Sequence, residues 1–185
     1  MKIYYSKEID KKIHEEVNTK GKKLSRLFGY DFPKVILDKE KAAIARQLAN
    51  DKNNQIDKKR AAQIMSEIYK KKLPQLTLYI NTTPFSTWNT KNKYISISID
   101  RFPTKIFSSF CHELNHFIYD LVYKTRKYED TEIKETITIL NEVFGIKDNG
   151  WKIFEKQRNK VLEYFQKTKD FTKTIEYTQN LFREL

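Results

Sequence analysis

The chain has 185 residues, 39% hydrophobic and 14% aromatic, which suffices for one domain with a proper core and is too short for two. Its formal charge of +12, from 36 basic and 24 acidic residues, could attract nucleic acid, anionic membrane or acidic proteins. The lysines are spread through nearly every segment, however, and no zinc-finger pair, glycine-rich phosphate loop or aromatic–basic signature accompanies them, so a nucleic-acid partner is not the favoured expectation.

The single cysteine excludes an internal disulfide framework. No apolar run reaches membrane-spanning length, and no apolar signal core follows Met1. The expectation is a soluble, cytoplasmic protein with no membrane partner.

Taken in order, residues 6–27 have the spacing of a helix capped by Ser6, with Ile9, Ile13, Val17, Leu24 and Leu27 on one stripe and Gly21 as a weak point. His14 in this helix is expected to be a surface or packing residue. Pro33 precedes a strand-like run, Lys34 to Leu37. Asp38 then opens a helix carrying Ala42, Ala45 and Leu48, and residues 50–55 form a polar loop. Asp57 caps the next helix, which carries Ala61, Ile64, Met65 and Ile68 and stops before Pro74.

Leu76, Leu78 and Ile80 alternate with Thr77 and Tyr79, as Ile95, Ile97 and Ile99 alternate with Tyr94, Ser96, Ser98 and Asp100, the period of two of strands. A polar insert with Pro84 and Trp88 joins them. The second strand, with one small polar face, could offer its edge to an extended peptide. Pro103 or Thr104 opens the next helix, and a polar connection from Lys124 to Asp130 follows it. A helix from Thr131 to Phe144, closed by Gly145, precedes helices around Trp151–Phe165 and Phe171–Phe182.

The helix after the second strand contains His112-Glu113-Leu114-Asn115-His116, which places two of the three histidines one turn apart. At about 100° per residue, Ile106, Phe107, Phe110, Leu114, Phe117, Ile118, Leu121 and Val122 fill one arc. His112 and His116 fall on the opposite face with Ser108, Ser109, Asn115, Tyr119 and Asp120. Two imidazoles on one face can reach one zinc ion, and Glu113 between them can act on a water that the metal polarises. Cys111 falls on the apolar side and is a poor fourth ligand, which favours an open site over a closed structural one. A third protein ligand is then needed. On the Thr131–Phe144 helix, Glu135 and Glu142 share the face turned away from the apolar side, with Glu132 nearer the flank.

His112-Glu113-x-x-His116 followed after eighteen residues by Glu135 resembles the gluzincin clan of zinc metallopeptidases, with the spacing of its aminopeptidase branch. The His-x-x-Gly-x-x-His continuation of the metzincins is absent, since Tyr119 and Val122 stand there. The resemblance covers about residues 76–145 and implies His112, His116 and Glu135 as zinc ligands and Glu113 as the general base. In thermolysin-like members an acidic residue one turn after the third ligand supports a histidine; Ile139 occupies that place. The aminopeptidase motif for a substrate amino terminus is absent. For the clan's oxyanion donor, Tyr119, Tyr128, Tyr164, Tyr177 and His14 are all candidates.

The expected fold is α+β and zincin-like in one domain, 1–185. A helical part (about 1–74) leads into a core (about 75–146) with an edge strand before the motif helix and a facing glutamate-bearing helix. C-terminal helices (about 150–185) complete it. The expected function is zinc-dependent hydrolysis of a peptide or protein substrate. The alternatives are a latent or inactive zincin-like protein, and a basic nucleic-acid-binding module with a structural zinc site.

Overall fold

The computed structural model describes residues 1–28, 34–52, 54–127, 129–148 and 150–183, with the side chains of 22–24 and 26–28 left aside. The side chains of Leu24 and Leu27 of the expected stripe, and the whole of Tyr128, therefore lie outside what is described. Among the described residues the chain is α+β, with seven α-helices and a four-stranded mixed sheet. None of the described helices is long and apolar enough to cross a membrane.

Side-chain caps begin the first three helices. The Ser6 hydroxyl accepts from the Ile9 N–H (3.3 Å) at the start of α1 (Lys7–Phe28), which runs through Gly21 unbroken. Asp38 accepts from the N–H groups of Glu40 and Lys41 to open α2 (Lys39–Asn50), and Asp57 from that of Arg60 to open α3 (Lys58–Tyr69).

The strands are β1 (Ile3–Tyr5), β2 (Thr77–Asn81), β3 (Thr87–Asn89) and β4 (Tyr94–Ser98), in the order β1-β2-β4-β3. β1 and β4 both run parallel to β2, and β3 closes the sheet antiparallel to β4. Leu78, Ile80, Ile95 and Ile97 face the main core, which they share with α2, α3 and the motif helix α4 (Ile106–Tyr123). Tyr94 packs with Ile13 and Val17 of α1 in a second, smaller cluster joined by Tyr79. The sheet thus has α1 on one face and the remaining helices on the other.

Two strand expectations are corrected. Lys34–Leu37 is not a strand: Ile36 is exposed, and the Val35 N–H and carbonyl each bond to the Asn18 side-chain amide at 2.8 Å, so a side chain satisfies the backbone instead of a neighbouring strand. The strand ahead of the motif helix is not an edge. β4 lies between β2 and β3 with all five residues buried, and the edge strand beside the site is β3, from the polar insert. The small polar face of β4 is dry because it is hydrogen-bonded: Ser96 Oγ accepts from Asn81 Nδ2 (3.1 Å), and Ser98 Oγ donates to the Thr83 carbonyl (2.6 Å).

The expected Thr131–Phe144 helix is in two parts, α5 (Thr131–Ile137) and a 3₁₀ segment (Thr138–Phe144) ended by Gly145 at φ 72°. The change of pitch falls where Arg158 Nη1 (2.6 Å) and the Thr138 hydroxyl (2.9 Å) both donate to the Glu135 carbonyl, an acceptor that an α-helix would reserve for its own backbone. α6 (Glu155–Thr168) and α7 (Phe171–Arg183) then pack together and against α5.

Candidate metal centre

Both faces of α4 are buried. The apolar face, from Phe110 to Ile118, enters the core, and Asn115, His116, Tyr119 and Asp120 on the polar face are equally shielded. Asn115 is held by hydrogen bonds to Tyr69 and Asn141, so this face is wired to neighbouring helices rather than wetted. His112 and Glu113 reach a cavity of about 420 Å³ bordered by α1, β3, α4, α5 and the segment after the 3₁₀ turn.

At its floor, His112, His116 and Glu135 bring one ligand atom each within 4.8 Å of one another, a group that could hold a metal ion. The two Nε2 atoms face each other at 3.0 Å, and Glu135 presents Oε2 to His112 and Oε1 to His116, each at 3.4 Å. Ligand bonds of about 2.0–2.1 Å at tetrahedral angles put ligand atoms about 3.3 Å apart, close to the separation of the two imidazoles and to that of each imidazole from one Glu135 oxygen. The polar accounting agrees, since Glu135 Oε2 is buried without a hydrogen-bond partner.

His112 is oriented from behind. Its Nδ1 lies 3.0 Å from Asp148 Oδ2, while Arg158 Nη2 holds Asp148 Oδ1 at 3.2 Å and Asn141 Nδ2 donates to Oδ2 at 3.4 Å. A carboxylate behind a ligating imidazole sets its tautomer and raises its basicity. Arg158 also grips the carbonyl of Glu135, so one guanidinium ties two walls of the site together. Gly150 lies against that guanidinium, where any Cβ would collide with it. Asp148 therefore supplies the support that Ile139 cannot.

Burial opposes a charge on His112, yet Asp148 and Glu135 outweigh it and hold the imidazole well above its ordinary range. Burial likewise works against the Glu135 carboxylate, and the two imidazoles hold it well below the usual range. Glu113 differs in kind. It lies on the cavity wall, 7% exposed, its Oε2 has no hydrogen-bond partner, and burial pushes its carboxyl up. Lys127 borders the same cavity, bonded to Glu16 of α1 at 2.8 Å, and Trp88 sets its ring against His116, tilted by 40° with ring centroids 4.6 Å apart.

The structure thus brings together His112, Glu113, His116 and Glu135. Glu132 is outside the group, and Glu142 accepts from the Asp148 N–H at 3.4 Å instead. Cys111 is buried in the core, its thiol pushed up to about 12 by burial.

Tyr128 aside, which lies outside the described residues, the oxyanion-donor candidates are not drawn in. Tyr119 bonds to Asp130 and Gln179, Tyr164 stacks on Tyr177, and His14 is buried on Thr82 beside Asp10; none of these lines the cavity. Sequence reasoning missed Asp148, Arg158 and the Trp88 ring against His116. Only the Asp148-Asn149-Gly150 run, polar and ending in glycine, carried a signal, and it reads as a turn. No protein family, curated protein or solved structure matches the chain.

Proposed function

We propose that the chain is a zinc-dependent peptidase with Glu113 as its general base. The observation that carries this reading is a buried carboxylate that does not belong to the ligand group, lies in sequence between its two histidines, lines the same cavity and has one oxygen buried without a hydrogen-bond partner. Two imidazoles and one carboxylate at tetrahedral spacing suit zinc. With three protein ligands and Cys111 turned into the core, a fourth position remains for water or substrate, which is the arrangement of a catalytic site and not of a structural one.

Zinc held there supplies Lewis acidity toward a peptide carbonyl and an acidified water. The chain's own residues do the rest. Glu113 takes the proton of the attacking water and returns it to the leaving amine, and a carboxyl pushed up by burial suits both halves of that exchange. Asp148 and Arg158 hold His112 and Glu135 in register, and Trp88 shields one side of His116 from water.

Purified protein should carry about one zinc per chain. Glu113→Gln should keep that zinc while hydrolysis of a peptide library falls by about 10² or more. Unchanged turnover in this variant, or equal zinc in wild type, His112→Ala and His116→Ala by metal analysis, would overturn the reading.

A further inference from the structure

Four cations besides Lys127 line the cavity, and three of them, Lys105, Lys147 and Lys152, are exposed. Arg101 and Lys105 line it just ahead of α4, and Lys147 and Lys152 line it beyond the 3₁₀ segment. A second depression of about 310 Å³ shares Lys105, Ser108 and Lys147 with the cavity and adds Arg60 of α3, so the two form one continuous surface.

Seven other lysines and arginines pair with carboxylates among the described residues, Lys41 with Asp100 and Lys12 with Glu8 among them. None of these five cations has a carboxylate partner among the described residues. Arg60 instead rests its guanidinium over the Phe107 ring at 5.2 Å and donates to the Phe144 carbonyl.

The carboxylates that line the cavity are buried or paired away from these five cations. Glu135 belongs to the ligand group, Asp148 is bound to His112 and Arg158, Glu113 lies buried beside them, and Glu16 is paired with Lys127. The interior walls carry Val17, Phe85, Trp88 and Trp151. The cavity therefore combines the buried ligand group, apolar and aromatic side chains, and exposed cations that form its rim.

We propose that the substrate is an acidic polypeptide segment, with an apolar residue in the cavity and aspartate or glutamate residues on both sides of it against Arg60, Lys105, Lys147 and their neighbours. This specificity rests on the peptidase reading for its chemistry, although the rim can be tested by binding alone. A polypeptide is favoured over nucleic acid because the exposed cations share one cavity of about 420 Å³ with apolar side chains and the buried ligand group: a side chain of an extended peptide can enter it while flanking residues remain outside, whereas duplex phosphates cannot pair with the cations and also reach the buried group. The net charge of +12 adds long-range attraction for the same ligand.

The test is fluorescence anisotropy on zinc-loaded Glu113→Gln protein, so that cleavage does not disturb the reading. The probes are fluorescein-labelled peptides with an Ala-Leu centre flanked by glutamate, glutamine or lysine, and an oligothymidylate matched to the glutamate peptide in charge. The glutamate peptide should bind at least about tenfold more tightly than the glutamine peptide, the lysine peptide should bind weakest, and the preference should shrink as salt rises. Lys105→Glu/Lys147→Glu should invert the order of the glutamate and lysine peptides. Both lysines are exposed, so melting temperature and zinc content should not change, and Lys105→Gln/Lys147→Gln, expected to abolish the preference without inverting it, provides a second check.

Equal binding of the glutamate and glutamine peptides overturns the proposal, as does tighter binding of the oligothymidylate than of the glutamate peptide. Wild-type protein scored for cleavage of the same peptides separates the two readings. Cleavage without a charge preference removes the rim and leaves the peptidase; the predicted binding order without cleavage leaves the rim and removes the peptidase.

Discussion

Asp120 and His116 stand one helical turn apart on α4, both buried, and their surroundings are built in opposite ways. Asp120 Oδ2 accepts from Trp88 Nε1 (2.7 Å), and Oδ1 accepts from the Thr125 hydroxyl (2.8 Å) and from Lys134 Nζ (2.7 Å). The Lys134 ammonium, 1% exposed, uses its remaining donors on the carbonyls of Arg126 (3.0 Å) and Lys127 (3.1 Å). A buried ion pair is thereby completed down to its last proton. Around His116, by contrast, His116 Nδ1, Glu113 Oε2 and Glu135 Oε2 are buried without hydrogen-bond partners. Each such atom costs about 1–3 kcal/mol if left unanswered. The chain evidently can complete a buried polar network, because it does so one turn away. The two unfinished carboxylate oxygens, Glu113 Oε2 and Glu135 Oε2, are what a site kept for an external ion and substrate should have; His116 Nδ1 lies on the far side of its ring from that ion. Trp88 joins the two, donating to Asp120 while its ring lies on His116, so the finished network positions the unfinished one.

The sharpest way to break this comparison is to damage the finished network. Lys134→Met leaves Asp120 as a buried carboxylate without its cation, and the loss of stability should be about 3–5 kcal/mol by denaturant unfolding. Removing both charges in Asp120→Leu/Lys134→Met should recover part of that loss. If the single variant unfolds like wild type, the pair is not a structural element and the contrast with His116 fails.

The next effect belongs to the metal. In competition against a chelator of known affinity, Glu135→Gln should lose zinc most readily, and Asp148→Asn should weaken it by about 10–100-fold through His112 alone. Glu132→Gln should match wild type, since Glu132 is outside the ligand group. Glu142→Gln bears on the eighteen-residue spacing: were it to release the metal while Glu135→Gln kept it, that spacing would be coincidental. Asp148→Asn behaving like Glu132→Gln would remove Asp148 from the support of the site.

What was legible in the sequence and what was not follows the range of each interaction. His112, Glu113 and His116 lie within two turns of one helix, and the inward turn of Cys111 obeys the same local period, so helical spacing was enough. Glu135 could be chosen over Glu132 because its face relative to Ile137 and Leu140 is also local. Asp148 and Arg158 act on the site from 36 and 23 residues beyond the groups they contact, His112 and the Glu135 carbonyl. An arginine on a helix otherwise looks like a solvated one. The strand β1, of three residues, exists only because β2 accepts it, and no period can be read from so short a run. Ser96 and Ser98 alternate as a wet face would, yet Asn81 and Thr83 bury them by hydrogen bonding. Alternation reports polarity, and it was the partner that decided exposure.

The smallest effect is also the one most particular to an unfinished cluster. In metal-free protein, Glu113→Gln should raise stability by about 1 kcal/mol, against the usual trend for substitutions at buried positions. Burial pushes the Glu113 carboxyl up, which means the folded state disfavours its charged form, and Oε2 has no donor to offset the lost hydration. A neutral amide of the same shape removes the charge that the fold holds at a cost. The same change at the finished cluster, Asp120→Asn, should destabilise, because there the charge is paired with Lys134. Thermal melts of the two variants beside wild type, all stripped of metal, should therefore shift in opposite directions. A fall in melting temperature for both would mean that Glu113 is a satisfied structural residue, and the contrast between the two ends of α4 would have no energetic basis.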